Sequence, residues 1–152
     1  MKIFVTIGSM KPFDRLISEI DLIGTKHEIF AQIGESELKP KNIKWKKMLN
    51  QTEFKQKIKW ADIVICHGAI VTITQALSNN KQVIIVPRQK KFGEAIDDHQ
   101  LEIAPLLEKK YDIKSITNIK NIEKYLKKSN KKIIKPNVSK ELVEEIKKLI
   151  DI

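Results

Sequence analysis

Hydrophobic positions in this chain fall in short unbroken runs rather than in alternation with polar ones. Ile3–Ile7, Asp62–Cys66 after its first residue, and Val83–Val86 are apolar at nearly every position, the pattern of strands covered on both faces of a parallel sheet. His27–Ile33, ended by Gly34, reads as another strand, and Ile43–Trp45 as a shorter one. Helical spacing separates them. A first helix opens at Pro12-Phe13-Asp14, where proline suits the first helical position, and others cover Glu53–Trp60, Val71–Ser78 and Ile96–Lys110. Past Tyr111 the pattern weakens: Ile113–Ile116 is predicted as a strand and Ile119–Lys128 as a helix. Ser139–Ile150 closes the chain as an amphipathic helix with Leu142, Val143, Ile146, Leu149 and Ile150 on one stripe. Strands alternating with helices imply parallel pairing and right-handed crossovers. The expected fold class is α/β, a Rossmann-like parallel sheet flanked by helices, with residues 1–152 as a single domain.

In such a sheet ligands bind outside the carboxyl ends of the strands. Three strand-to-helix junctions carry candidate chemistry there: Gly8-Ser9, His67-Gly68-Ala69, and the loop from Arg88 to Gln100. Each leads into a helix whose free N–H groups and dipole favour phosphate. The last loop crowds Arg88, Gln89, Glu94, Asp97, Asp98, His99 and Gln100 together, more polar groups than a turn alone needs. Plainer roles exist for each feature. Gly8-Ser9 suits a tight turn, His67 a strand end, Thr72 and Thr74 helix capping or packing, Gln75 an exposed helix face, and Cys66 the core. Asp98 and His99 are adjacent, so on a helix they point in different directions and suit hydrogen-bonded positioning better than acid–base pairing. Neither G-x-G-x-x-G nor G-x-x-x-x-G-K-[ST] occurs, which argues against an NAD enzyme or a P-loop NTPase.

Composition narrows the partners. The net charge is +10, from 29 basic and 19 acidic residues. The lysines mostly sit at spacings of solvated helix faces, so a charged surface is the simplest account, ahead of an anionic membrane and then nucleic acid. Aromatic residues make up only 6% and are not interleaved with basic ones, unlike a base-stacking surface. No apolar run approaches the roughly 20 residues of a membrane helix. Met1–Ile7 reads as a strand rather than a signal peptide, and one cysteine allows neither an internal disulfide nor a cysteine-rich zinc site. The expected location is cytoplasmic.

Three segments taken together, Phe4–Ser9 with Phe13–Ile17, Asp62–Leu77, and Val83–Leu101, resemble the glycosyltransferase family 28 C-terminal domain, the nucleotide-sugar-binding half of a GT-B enzyme. More narrowly, the chain is similar to the small soluble subunit of two-component glycosyltransferases. The Pro87–Glu102 segment resembles the bacterial exopolysaccharide and capsule β-1,4-glycosyltransferase branch. The resemblance implies that Gly8 and Ser9 approach the donor diphosphate. It places His67 and Gly68 against diphosphate or sugar, with Thr72 at the following helix start. Arg88 would help hold the nucleotide, and Asp98, His99 and Gln100 would contact the donor sugar or ribose. Gln75 stands where many relatives carry a ribose-binding Glu, and its uncharged amide implies a weaker contact. Gly68-Ala69-Ile70-Val71 replaces a glycine-rich stretch, which leaves Gly68 as the place for close backbone approach.

The implied function is the donor-binding, catalytic subunit of a bipartite inverting glycosyltransferase. It would move a sugar from a UDP-sugar to a lipid-linked acceptor, with no metal and no cofactor, in exopolysaccharide or capsule biosynthesis. The resemblance assigns the general base and the acceptor to a membrane-anchored partner subunit, which would recruit this chain to the inner membrane face. The competing readings are a sugar-nucleotide-binding module without turnover and a basic nucleic-acid-binding protein.

Overall fold

The structure is a computed structural model and describes residues 1–9, 11–127 and 140–150. Six parallel strands form one sheet: β1 (Lys2–Thr6), β2 (Glu28–Gln32), β3 (Lys44–Lys46), β4 (Ile63–Cys66), β5 (Gln82–Ile85) and β6 (Ile113–Ser115), in the order β3-β2-β1-β4-β5-β6. Helices α1 (Asp14–Ile23), α2 (Gln51–Trp60), α3 (Ile70–Ser78), α4 (His99–Lys110) and α5 (Lys140–Ile150) complete the fold. The chain winds outward from β1 through β2 to β3, then returns to lay β4 on the other side of β1. That reversal opens a crevice between the carboxyl ends of β1 and β4, where doubly wound sheets bind ligands.

Both faces of the sheet are covered, which accounts for the unbroken apolar runs. Ile3, Val5, Ile63, Ile65 and Ile84 join Leu16, Ile17 and Ile20 of α1 in one core. The alternate residues Phe4, Val64, Cys66, Val83 and Ile85 join Ile58, Ile73, Ala76, Leu107 and Ile146 in the other. Register matches this division: Val5 lies opposite Ala31 on one side and Ile65 on the other. The edge strand β3 exposes Lys44 and Lys46, charges that discourage further strand addition.

Helix α1 begins at Asp14 with Phe13 as its cap, so Pro12 precedes the helix and does not occupy its first position. Three further departures from the sequence pattern have a local cause. Helix α2 begins two residues before Glu53 because Asn50 and Glu53 close a reciprocal cap: Asn50 Oδ1 accepts the Glu53 N–H at 2.9 Å and Glu53 Oε2 accepts the Asn50 N–H at 3.0 Å. Helix α4 begins at His99 and not at Ile96, which is 82% exposed. The aspartates before it offer the backbone another partner: Asp97 Oδ1 accepts the His99 N–H and Asp98 Oδ1 the Lys90 N–H. Ile119–Tyr125 forms a tight 3-10 turn instead of an α-helix, opened by the Asn118 side chain on the Lys120 N–H. Lys128 and Ser139, predicted helix ends, lie outside the described residues, and of the α5 stripe Ile146 is fully buried.

Candidate functional site

The carboxyl ends of β1, β2 and β4 come close enough to require glycine. Gly8 follows β1 with φ +77°, and a Cβ there would sit 3.1 Å from His67 Cε1 after β4. Gly34 follows β2 with φ +51°, and a Cβ there would be 2.5 Å from the Gly8 carbonyl oxygen. Two loops far apart in sequence therefore converge on the Gly8 turn.

Two cavities open around this junction. The larger, about 410 Å³, lies between the Gly8 turn and the first turns of α2 and α3; Gly8, Ser9, Gln32, Leu49, Thr72 and Gln75 help line it. Its floor is tied together by Gln32, whose Nε2 reaches Thr6 Oγ1 at 3.4 Å and whose Oε1 accepts the Leu49 N–H at 3.0 Å. The smaller, about 150 Å³, lies between the loop after β4 and α4, with His67, Gly68, His99 and Gln100 over the apolar floor of Ile103 and Leu107. Eight of the ten candidate residues thus divide between neighbouring cavities at one sheet edge.

Arg88 and Asp98 line neither cavity. Arg88 is 5% exposed, and its guanidinium donates to the carbonyls of Ile7 (2.8 Å), Lys11 (2.9 Å) and Pro12 (2.7 Å). It also lies over the Phe13 ring. In this structure the Arg88 guanidinium is engaged by backbone carbonyls between β1 and α1, which take three of its N–H donors. Asp98 is exposed, and its carboxylate is engaged by the Lys90 N–H at 2.9 Å. Gln100 ties the same region together, its Oε1 accepting the Arg88 N–H at 2.9 Å.

Burial sets the ionisation of the groups at this edge. Burial, and then the Arg88 charge, push the His67 imidazole down to about 4, so it is neutral at pH 7. Its Nδ1 is buried with no hydrogen-bond partner among the described residues. Burial pushes the Cys66 thiol up to about 12, which makes it an inert core group. Ala69, at the N-cap of α3, supplies no side-chain acceptor, so the first-turn N–H groups of this helix are left for water or a ligand. Thr74 turns its hydroxyl back to the Val71 carbonyl, a packing role. Gln75 differs: it lines the larger cavity, and its Oε1 is buried without a partner among the described residues. No group of three or more His, Cys, Asp or Glu side chains among the described residues could hold a metal ion.

Sequence reasoning missed Gln32, Leu49 and Asn50, all of which line the larger cavity. The Asn50-x-x-Glu53 capping pattern was the one available signal, since it starts a helix facing the site. It also missed the role of Glu94. This carboxylate is 8% exposed, takes Arg15 Nε and Nη2 at 2.5 and 2.9 Å, and accepts the Gln89 N–H at 3.0 Å.

A doubly wound sheet with this crevice at its β1/β4 reversal has the architecture of the C-terminal halves of GT-B glycosyltransferases. The chain belongs to the glycosyltransferase family 28 C-terminal domain family, whose profile matches residues 2–151. A curated relative from Vesicomyosocius okutanii subsp. Calyptogena okutanii (strain HA) is 25% identical over 158 residues. It is a UDP-N-acetylglucosamine--N-acetylmuramyl-(pentapeptide) pyrophosphoryl-undecaprenol N-acetylglucosamine transferase. The match covers 91% of this chain but 44% of that relative, so the chain spans less than half its length. Among solved structures, Acinetobacter baumannii MurG superposes with TM-score 0.58 at 18% identity, over 97% of this chain and 49% of that one. The solution structure of ALG13 superposes with TM-score 0.60 at 17% identity, over 99% and 95%. Streptomyces sp. SF2575 SsfS6, complexed with thymidine diphosphate, gives 0.59 at 15% identity, over 99% and 36%. No helix among the described residues is long and apolar enough to cross a membrane.

Proposed function

We propose that the chain is the donor-binding, catalytic subunit of a bipartite inverting glycosyltransferase that takes a sugar from a UDP-sugar and delivers it to a lipid-linked acceptor. The observation that carries this reading is the buried Gln75 Oε1, without a partner among the described residues, in a cavity of about 410 Å³ whose rim holds the Gly8-Ser9 turn. A buried acceptor without a donor is costly unless a ligand supplies one. A ribose hydroxyl would do so, with the diphosphate against Gly8, Ser9 and the first turn of α3 near Thr72. The sugar would then extend toward His67, Gly68, His99 and Gln100, with Asp98 at the rim.

Breaking the sugar–phosphate bond leaves negative charge on the diphosphate, and prearranged backbone N–H groups stabilise such charge in a partly enclosed site. The reaction in this form draws on no cofactor and no metal. His67, held down to about 4, is too weak a base to take the acceptor proton efficiently at neutral pH. The family resemblance assigns the base and the acceptor to a facing surface, that of a membrane-anchored partner subunit that brings this chain to the inner membrane face. The transferase from Vesicomyosocius supports a UDP-sugar donor and a lipid pyrophosphate acceptor, the chemistry its name states. The likeness of Pro87–Glu102 to the exopolysaccharide and capsule branch supports that pathway class.

Thermal-shift and calorimetric titration with UDP, UDP-glucose, UDP-galactose, UDP-N-acetylglucosamine and UDP-glucuronate tests the donor. At least one should raise the melting temperature, and Gln75→Ala should weaken it. No response to any of them, alone or with the partner, refutes the reading; steeply salt-dependent binding to generic DNA would favour a nucleic-acid function instead. Transfer or donor hydrolysis only in the presence of the partner separates a bipartite enzyme from a binding module without turnover.

A further inference from the structure

We propose that Arg88 is a positioning residue for donor binding: it holds the turn after β1 from behind, so that the outward N–H of Gly8 meets the diphosphate. This rests on the donor reading above. The guanidinium gathers three carbonyls, those of Ile7, Lys11 and Pro12, all within 2.9 Å. Across a planar trans peptide the C=O and the following N–H point in opposite directions. With the Ile7 carbonyl turned to Arg88, the Gly8 N–H is directed to the opposite side, and Gly8 lines the larger cavity. That N–H has just a long 3.5 Å contact, to Thr6 Oγ1, so it remains available to an anion.

The backbone that carries Arg88 is itself well fixed. The Arg88 N–H is held by Gln100, and the neighbouring Gln89 N–H by Glu94. Glu94 also grips Arg15 on α1 through two contacts. The loop after β5 is thus clamped to α1 and to the segment before it, one arginine reaching in each direction. A planar fork of donors can hold three carbonyls in fixed geometry, whereas a lysine ammonium keeps the charge without that geometry.

The test is Arg88→Lys, with Glu94→Gln as a second variant that loosens the clamp and leaves Arg88 in place. UDP and uridine affinities are measured by calorimetry, and the Gly8 and Ser9 amide resonances are recorded without ligand. For Arg88→Lys, UDP affinity should fall about tenfold, the size of one lost charge-assisted hydrogen bond, while uridine affinity changes less than about twofold. The Gly8 and Ser9 amides should shift before any ligand is added. Glu94→Gln should show the same selective loss, about threefold, and it decides the question if Arg88→Lys does not fold. Unchanged UDP affinity, or equal loss for uridine, overturns the role. So does a loss of UDP affinity with unmoved ligand-free amides, which would mean direct contact with the donor. If the unaltered chain binds UDP and the variants bind it equally well, the positioning role alone fails; if the unaltered chain binds no UDP, both readings fail.

Discussion

Protonation of His67 provides a quantitative check on how the site is built. Unfolded, this imidazole takes up a proton near 6.5; in the fold, burial and the Arg88 charge lower that to about 4. Between these values the unfolded chain holds the extra proton, so the fold loses stability as pH falls from 6.5 toward 4 and regains it as pH rises. The full difference amounts to about 3 kcal/mol, at roughly 1.4 kcal/mol per pH step of one. Carboxylates titrate in the lower part of the same window, so a comparison is needed: urea unfolding of the unaltered chain and of His67→Gln across that range. The stability gap between the two should shrink on acidification. An NMR titration of the His67 ring gives the midpoint directly. A midpoint at or above 6.5, or parallel pH profiles for the two proteins, would falsify the account of a neutral, desolvated imidazole beside a buried arginine.

Other consequences are simpler. Gly8→Ala puts a Cβ at φ +77° and 3.1 Å from His67 Cε1, which should cost about 1–2 kcal/mol in chemical denaturation and abolish a UDP-induced thermal shift. Gln75→Ala should leave folding nearly unchanged and weaken UDP about fivefold in calorimetry, the loss of one neutral hydrogen bond. Equal affinity would remove Gln75 from the site. Asn50→Ala opens the reciprocal cap of α2 and should cost about 1 kcal/mol in urea unfolding. Because Asn50 also lines the larger cavity, its UDP affinity should fall as well.

The local pattern of residues was enough to define the parallel sheet. Strands buried on both faces need apolar side chains at successive positions, and that demand shows directly in Ile63–Cys66 and Val83–Ile85. The three loops at the carboxyl edge were equally readable, since strand, loop and helix follow one another along the chain. Helix starts were harder. Ile96 fits a helical pattern, yet Asp97 and Asp98 bind nearby backbone N–H groups and delay α4 to His99. The 3-10 turn at Ile119–Tyr125 was equally hidden, since its apolar spacing also fits an α-helix.

Which side chains line the cavities at the sheet edge was decided by tertiary structure alone. Arg88 and Gln75 are both polar residues at the same sheet edge, and nothing local separates them. In the fold, three carbonyls from a segment more than seventy positions away engage Arg88, while Gln75 keeps a buried oxygen with no partner among the described residues. The junction of Gly8, Gly34 and His67 likewise exists just because β1, β2 and β4 lie side by side. Chain order along an element follows from short-range sterics and burial, but the partners of a charged side chain depend on contacts between segments distant in sequence.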